Sequence, residues 1–256
     1  MQATILCIKW GTVFDASEVN LLYRACRDNV QGDLRFVCLT DNRVGLLDGI
    51  EARDIPDIGL APAAWKLPGV WRKLSLFSDE IGDLGRVLFI DLDMMVIGDL
   101  QPFFDQVEGS RFLNVGKSWY PGRERLEKEV GTGVYSYDIR KNAHVLEAFA
   151  KDMEGHMKTW QNEQDFVGAH ADAPSYWPEG LVLSFKRHLC HRYGKGLFVA
   201  PSVPPDSARI VAFHGDPRPV DTVKQTIWGP APHWHAGAPS WITAYRQRYG
   251  DDAQKT

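Results

Sequence analysis

One stretch constrains this chain more than any other. Residues 86–102 set two apolar runs around an Asp-Leu-Asp triplet. Val87 to Ile90 is continuous apolar sequence, as expected of a strand buried on both faces of a parallel sheet. It stops at Asp91-Leu92-Asp93, a second apolar run occupies 94–97, and Gly98-Asp99 closes it as a turn. On an extended chain, carboxylates at i and i+2 share one side. There they repel each other unless a cation lies between them. Carboxylate oxygens suit hard divalent ions such as Mn²⁺ or Mg²⁺, and open α/β sheets bind ligands at the carboxyl ends of their strands. Asp91 and Asp93 are therefore expected to hold a metal ion, and the metal a diphosphate. An isolated Asp-x-Asp more often just ends a strand, so the rest of the chain has to decide.

The order of elements around this stretch predicts its setting. Residues 4–8 and 34–39 read as strands, separated by a helix in which Val19, Leu22, Tyr23 and Cys26 recur at helical spacing behind a cap at Asp15 or Ser17. Residues 50–55 read as a third strand. A β-α-β-β opening implies a parallel sheet with right-handed crossover. The Pro- and Ala-rich segment 57–69 reads as a loop. Residues 71–81 carry a helical stripe of Trp71, Leu74, Phe77 and Ile81. Beyond the triplet, strands are expected at 112–116, 134–137, 181–185 and 210–213. Helices are expected at 142–157, 162–169 and 241–249, with a Pro-, His- and Trp-rich tail at 217–239 wrapped over the domain.

With 256 residues, 44% of them hydrophobic, the chain has ample core for one large α/β domain. The expected division is a nucleotide-binding half at 1–100 and an acceptor half with the C-terminal wrap at 101–256. The net charge is −4 with no basic stripe, which argues against nucleic acid as a partner. The charge cluster at 123–129 alternates in sign and reads as a solvated helix face. None of the four cysteines forms a Cys-x-x-Cys pair, and Cys7 and Cys38 lie in apolar runs where a thiol packs as a small hydrophobe. No run is apolar enough to span a bilayer and no leader is recognisable at the start. A cytoplasmic protein is the expectation, with a secretory resident of trimmed leader as the alternative.

Further chemistry clusters late in the chain. His214 follows the last apolar run and is suited to complete a metal shell begun by Asp91 and Asp93. Gly215 would let backbone approach a phosphate, and Arg218 would neutralise it. On the 71–81 segment, Arg72 or Lys73 could reach the same crevice, Lys73 being preferred. Glu163-Gln164-Asp165 opens a short helix and offers a carbonyl or carboxylate beside a reacting carbon, against the plainer reading of helix-start chemistry. His188, Cys190 and His191, and likewise His233 and His235, lack the spacing of a zinc site and read as structural or surface residues.

Taken in order, these segments resemble the nucleotide-sugar glycosyltransferases of the A-type fold, most closely family 8, the group of glycogenin and the bacterial lipopolysaccharide galactosyltransferases. The matching parts are the first strand with Lys9-Trp10-Gly11, residues 36–41, 71–74, 87–99, 131–134, 163–165 and 213–219. The resemblance implies an α/β, Rossmann-like, mostly parallel central sheet with helices on both faces. It also implies transfer of a sugar from a nucleoside-diphosphate sugar, a UDP-sugar in most of the family, to a hydroxyl of a glycan, lipid-linked or small-molecule acceptor, with retention. By position, Asp91, Asp93 and His214 correspond to the ligands of Mn²⁺ (or Mg²⁺). Lys9, Trp10, Gly11 and Asp41 correspond to the base and ribose pocket. Lys73, Leu92, Gly215 and Arg218 fall on donor contacts, and Gln164 with Glu163 on the reacting face of the sugar. The chain departs from the pattern at Gly131, where the family has Asn, at Glu163, where it has Asp, and at 214–219, which is shorter and carries Arg for Lys.

Two rival readings remain. One is an aspartyl-phosphate phosphatase with Asp91 as nucleophile. Against it, a β-α-β unit precedes the triplet, and Met94-Met95 replaces the expected turn residues. The other is a non-catalytic nucleotide-sugar binding protein, suggested by the departures at Gly131 and after His214.

Overall fold

The computed structural model describes residues 2–105, 108–114, 130–191, 194–224, 226–229 and 234–250. The charge cluster at 123–129, the end of the 112–116 strand and His233 lie outside the described residues.

Seven strands form the central sheet. They are β1 (Ala3–Lys9), β2 (Leu34–Thr40), β3 (Ile50–Arg53), β4 (Arg86–Ile90), β6 (Ser110–Asn114), β7 (Val130–Asp138) and β8 (Pro174–Tyr176), in spatial order β3-β2-β1-β4-β7-β6-β8. β1, β2, β3 and β4 run parallel, and only β7 opposes its neighbours. The strand ending in Asp91 thus lies at the centre of the sheet, with both faces covered, as its unbroken apolar run requires. Strands from both halves of the chain share this one sheet. A smaller sheet joins β5 (Met94–Val96) to β10 (Ile210–Ala212) and β9 (Val182–Ser184), and a short hairpin pairs β11 (Ile227–Trp228) with β12 (His235–Ala236).

Because side chains alternate along a strand, the sheet feeds two cores. On one face Ile5, Cys7, Phe36, Cys38, Leu88 and Ile90 pack under α1 (Ala16–Asn29), the smaller sheet and α6 (Ser240–Tyr249). On the other, Leu6, Ile8, Val37, Leu39, Val87 and Phe89 pack under the 71–84 segment, α3 (Ala143–Lys151) and α5 (Glu163–His170). Helices on both faces and a mostly parallel sheet match the expectation. Cys7 and Cys38 are free, fully buried and opposite each other in register.

Several boundaries moved for local physical reasons. Asp15, not Ser17, caps α1, accepting the Ser17 amide at 2.8 Å. β3 stops at Arg53, short of Ile55, which precedes Pro56 and is confined to extended conformations outside the ladder. The 71–81 segment is not an α-helix. It forms two 3₁₀ stretches, Trp71–Phe77 and Asp79–Leu84, split at Ser78, which caps the second through the Glu80 amide at 3.3 Å. All seven residues of the first stretch are buried. A tight helix enclosed on every side, entered from Val70 in the left-handed region, leaves no solvent face for the amphipathic pattern to describe. The 142–157 helix is broken at Asp152, whose carboxylate caps the next piece, α4 (Met153–Thr159), through the Gly155 amide at 3.0 Å. The strand expected at 181–185 is shorter, and Phe185–Leu189 forms a π-helical turn instead. A four-residue helix, α2 (Gln101–Phe104), follows β5.

Candidate active site

The Asp-Leu-Asp triplet is a turn, not a continuation of the strand. The Met94 amide donates to the Asp91 carbonyl at 3.2 Å, folding β4 back into β5. The two carboxylates converge because the chain turns, not because of a strand pleat. Leu92 points away into the core and is buried.

Around Asp91 the crevice is closely tied. Lys73 Nζ lies 2.6 Å from Asp91 Oδ2, donates to the Thr132 carbonyl at 2.8 Å, and lies 3.8 Å from Glu163 Oε1. It also sits 4.7 Å from the centroid of the Phe89 ring. Lys73 is delivered to the crevice by the buried 3₁₀ stretch. Its neighbour Arg72 goes elsewhere, stacking 3.6 Å over Trp65 with Nη1 3.8 Å from Asp41 Oδ2. Thr132, in β7, is the hub. Its hydroxyl donates to Glu163 Oε1 at 2.5 Å, and its amide donates to Gln164 Oε1 at 3.2 Å. The Gly133 carbonyl accepts the Asp91 amide at 2.9 Å, and a Cβ there would meet the Met94 Cε methyl at 2.5 Å, so a side chain at 133 would displace the end of Met94. Asn162 caps α5 through the Asp165 amide at 3.0 Å, which fixes Glu163 and Gln164 at the helix start.

Charge is out of balance here. Asp91, Asp93 and Glu163 share one buried cation, Lys73. Burial raises the Asp91 carboxyl, opposed by Lys73. Burial and the neighbouring Asp91 push Asp93 up to about 7, and burial pushes Glu163 to about 7 against the pull of Lys73 and Thr132. Asp93 Oδ1 is buried without a hydrogen-bond partner. A surplus of buried negative charge with an unpartnered carboxylate oxygen is the chemistry a hard divalent cation compensates. The expected ligands are not gathered as a finished cluster, however: among the described residues no three His, Cys, Asp or Glu side chains are grouped to hold a metal.

His214 does reach this end of the fold, because β10 pairs with β5 and the Phe213 amide donates to the Asp93 carbonyl at 3.1 Å. Its Nε2 is hydrogen-bonded to Ser184 Oγ at 2.6 Å. The Gly215 amide supports the Asp93 carboxylate, and Gly215 takes a left-handed φ of +74°. Arg218 turns to the first-strand loop, donating to the Val13 carbonyl at 3.0 Å, with Nε 3.4 Å from Asp221. At the other end of the crevice, Asp41 accepts the Gly11 amide at 2.9 Å, and Gly11 has φ +62°. Lys9 is buried at the end of β1 in register with Thr40, and Trp10 is half-buried beside it.

Three side chains in this arrangement escaped the sequence reading. Thr132 stands in the variable position of its motif. Ser184 caps, and Lys186 rides on, a π-turn that no periodicity announces. His235 and His188 are engaged within the fold: His235 is buried, stacks on Trp228 at 4.9 Å, and accepts the His191 amide at 3.2 Å, while His188 accepts the Ser184 amide at 2.9 Å. A pocket of about 430 Å³ between Val96, Val203, Arg209 and Tyr245 involves none of the crevice residues.

No family model matches the sequence, and no curated protein matches it. Solved structures do. The galactosyltransferase LgtC, in complex with donor and acceptor sugar analogues, is similar over 98% of this chain and 99% of its own, at 13% identity and a TM-score of 0.61. The glycosyltransferase GlyE of Streptococcus pneumoniae TIGR4 is similar over 95% of this chain and 60% of its own, at 13% identity and a TM-score of 0.56. The bifunctional glycosyltransferase WbbM is similar over 86% of this chain and 47% of its own, at 13% identity and a TM-score of 0.52. The chain has the A-type glycosyltransferase fold.

Proposed function

We propose that this protein is a metal-dependent glycosyltransferase that moves a sugar from a nucleoside-diphosphate sugar, a UDP-sugar, to an acceptor hydroxyl with retention of configuration. The observation that carries this reading is the unpartnered, buried Asp93 carboxylate oxygen at the end of the central strand, in a crevice holding three carboxylates and one buried cation.

Asp93 and Asp91, with His214 from the adjoining strand, would hold the ion. When bound, Mn²⁺ or Mg²⁺ supplies charge stabilisation for a leaving diphosphate. Lys73 opposes the upward pull of burial on the Asp91 carboxyl and ties it to the Thr132 carbonyl, so the strand end stays in place as charge develops. Gln164, held through its oxygen by the Thr132 amide, presents an amide toward the sugar, where an oxocarbenium-like carbon would form. Glu163 is only 4% exposed and acts through Thr132, positioning Gln164 rather than meeting the sugar itself. Asp41, braced on the Gly11 amide, fits the ribose or base end. Arg218 fastens the tail to the loop at Val13, helping to shut water from the crevice.

The test is turnover of a panel of nucleoside-diphosphate sugars on mixed acceptors, with Mn²⁺ and with chelator. Metal-dependent release of nucleoside diphosphate with a glycosylated product is expected. Binding without turnover across the panel would leave a non-catalytic binder, and phosphate release from simple esters would revive the phosphatase.

A further inference from the structure

We infer that Lys186, on the π-turn after β9, is the side-chain cation that receives the donor's diphosphate. The inference rests on the nucleotide-sugar reading of the crevice and adds a residue to it. Three other cations near the crevice are already committed. Lys73 is spent on Asp91, the Thr132 carbonyl and Glu163. Arg72 is stacked on Trp65 beside Asp41. Arg218, where a phosphate-binding cation was expected, is held by the Val13 carbonyl and Asp221.

Lys186 is different. Among the described residues it makes no hydrogen bond and no ion pair, although it is half-buried. Its Nζ lies 3.8 Å from the point where a Cβ on Gly215 would stand, so the ammonium sits over the one turn residue that has no side chain. The charged groups facing it are Asp93 and Asp216, which attract it, and Arg187, which repels it. An ammonium under the charge of Asp93, a proposed metal ligand, and over a left-handed glycine occupies the place where a phosphate would meet both the ion and the backbone.

The π-turn explains how it gets there. Ser184 ends β9 beside β10 and grips His214, and its hydroxyl also accepts the Arg187 amide at 3.2 Å, capping the turn. The same turn therefore orients His214 and swings Lys186 across the Gly215 loop. A five-residue π-turn is uncommon, and such turns recur at functional sites.

The experiment is calorimetric titration in Mn²⁺. Wild type, Lys186→Met, Lys186→Arg and Arg218→Met are each titrated with the tightest nucleoside diphosphate among UDP, GDP, ADP and CDP. The matching monophosphate and free nucleoside follow, with melting curves to check folding. Lys186→Met is expected to weaken the diphosphate by roughly ten- to hundredfold, the scale of a lost charge-assisted hydrogen bond. The monophosphate should weaken less, the nucleoside should be unchanged, and Lys186→Arg should regain most of the loss. Wild-type binding of the diphosphate by Lys186→Met would overturn the inference and leave the nucleotide-sugar reading intact. So would equal loss of nucleoside and diphosphate, or a larger diphosphate-specific loss in Arg218→Met. Failure of wild type to bind any nucleoside diphosphate would overturn the nucleotide-sugar reading, and the inference with it.

Discussion

The crevice has two sides built on different principles. On one, Lys73, Asp91, Thr132, Glu163 and Gln164 are buried or half-buried and satisfied by one another, on a 3₁₀ stretch, β4, β7 and α5. On the other, His214, Gly215, Lys186 and Arg218 sit on turns, and the polar groups nearest the first side are the least engaged: Asp93 Oδ1 has no partner and Lys186 no ion pair among the described residues. The first side is finished without ligand. The second is arranged for a ligand to finish. A crevice of this kind holds its sugar-facing geometry rigid and leaves charge neutralisation to the donor and its ion, which is economical because preorganised dipoles cost nothing at the moment of reaction.

If that contrast is right, substitutions on the first side should cost stability, and substitutions on the second should cost binding or turnover. The largest effect is expected for Lys73→Met. It leaves Asp91 and Glu163 without their buried cation and should destabilise the protein by about 3–5 kcal/mol in urea unfolding. Retained wild-type stability would mean the carboxylates are already protonated, and the first side is not what it looks like. Next, Asp93→Asn should lower metal-dependent transfer by about 10²–10³-fold, the size of losing one preorganised electrostatic group, while melting stays near wild type or rises. A large stability loss instead would put Asp93 on the structural side. Smaller again, Thr132→Val removes the hydroxyl given to Glu163 and should cost about 1.5–3 kcal/mol, the value of a hydrogen bond to a charged group. Gln164 should then lose position, seen as a fall in kcat greater than any change in KM.

A further effect is in pH. Glu163 is raised by burial to about 7 from an ordinary 4.5, so the folded protein binds a proton there that the unfolded chain has released. Its contribution is complete below about pH 4.5 and is lost as pH rises through 7, so metal-free protein should become less stable between about pH 5 and 8. Glu163→Gln should flatten that slope, and a slope unchanged in this variant would assign it to other groups.

How much of this was legible in sequence follows from where each signal resides. The buried strand, its carboxylate end, the β-α-β opening and the late apolar run before His214 are local patterns, and each stood where it was read. The 71–81 segment shows the limit. Its stripe of Trp71, Leu74, Phe77 and Ile81 fits an α-helix, but enclosure on every side selected 3₁₀ geometry, and no periodicity reports enclosure. The lean to Lys73 over Arg72 had no local pattern behind it, because adjacent residues on a helix point in different directions and only the fold says which direction faces the crevice.

The sequence by itself determined that a central, doubly buried strand ends in two carboxylates, since an apolar run closed by Asp-Leu-Asp has few other uses. The tertiary structure decided what surrounds them. It folded the triplet into a turn, spent Lys73 on Asp91 and left Asp93 unpartnered. It sent Arg218 to Val13, and it brought Lys186 over Gly215 through a turn with no sequence signature. The reason is physical: burial and periodicity are properties of neighbours along the chain, whereas the partner of a charge is set by long-range packing. Asp93 and Lys186, ninety-three positions apart by their numbers, come to the same end of the crevice only because β10 lies between β5 and β9.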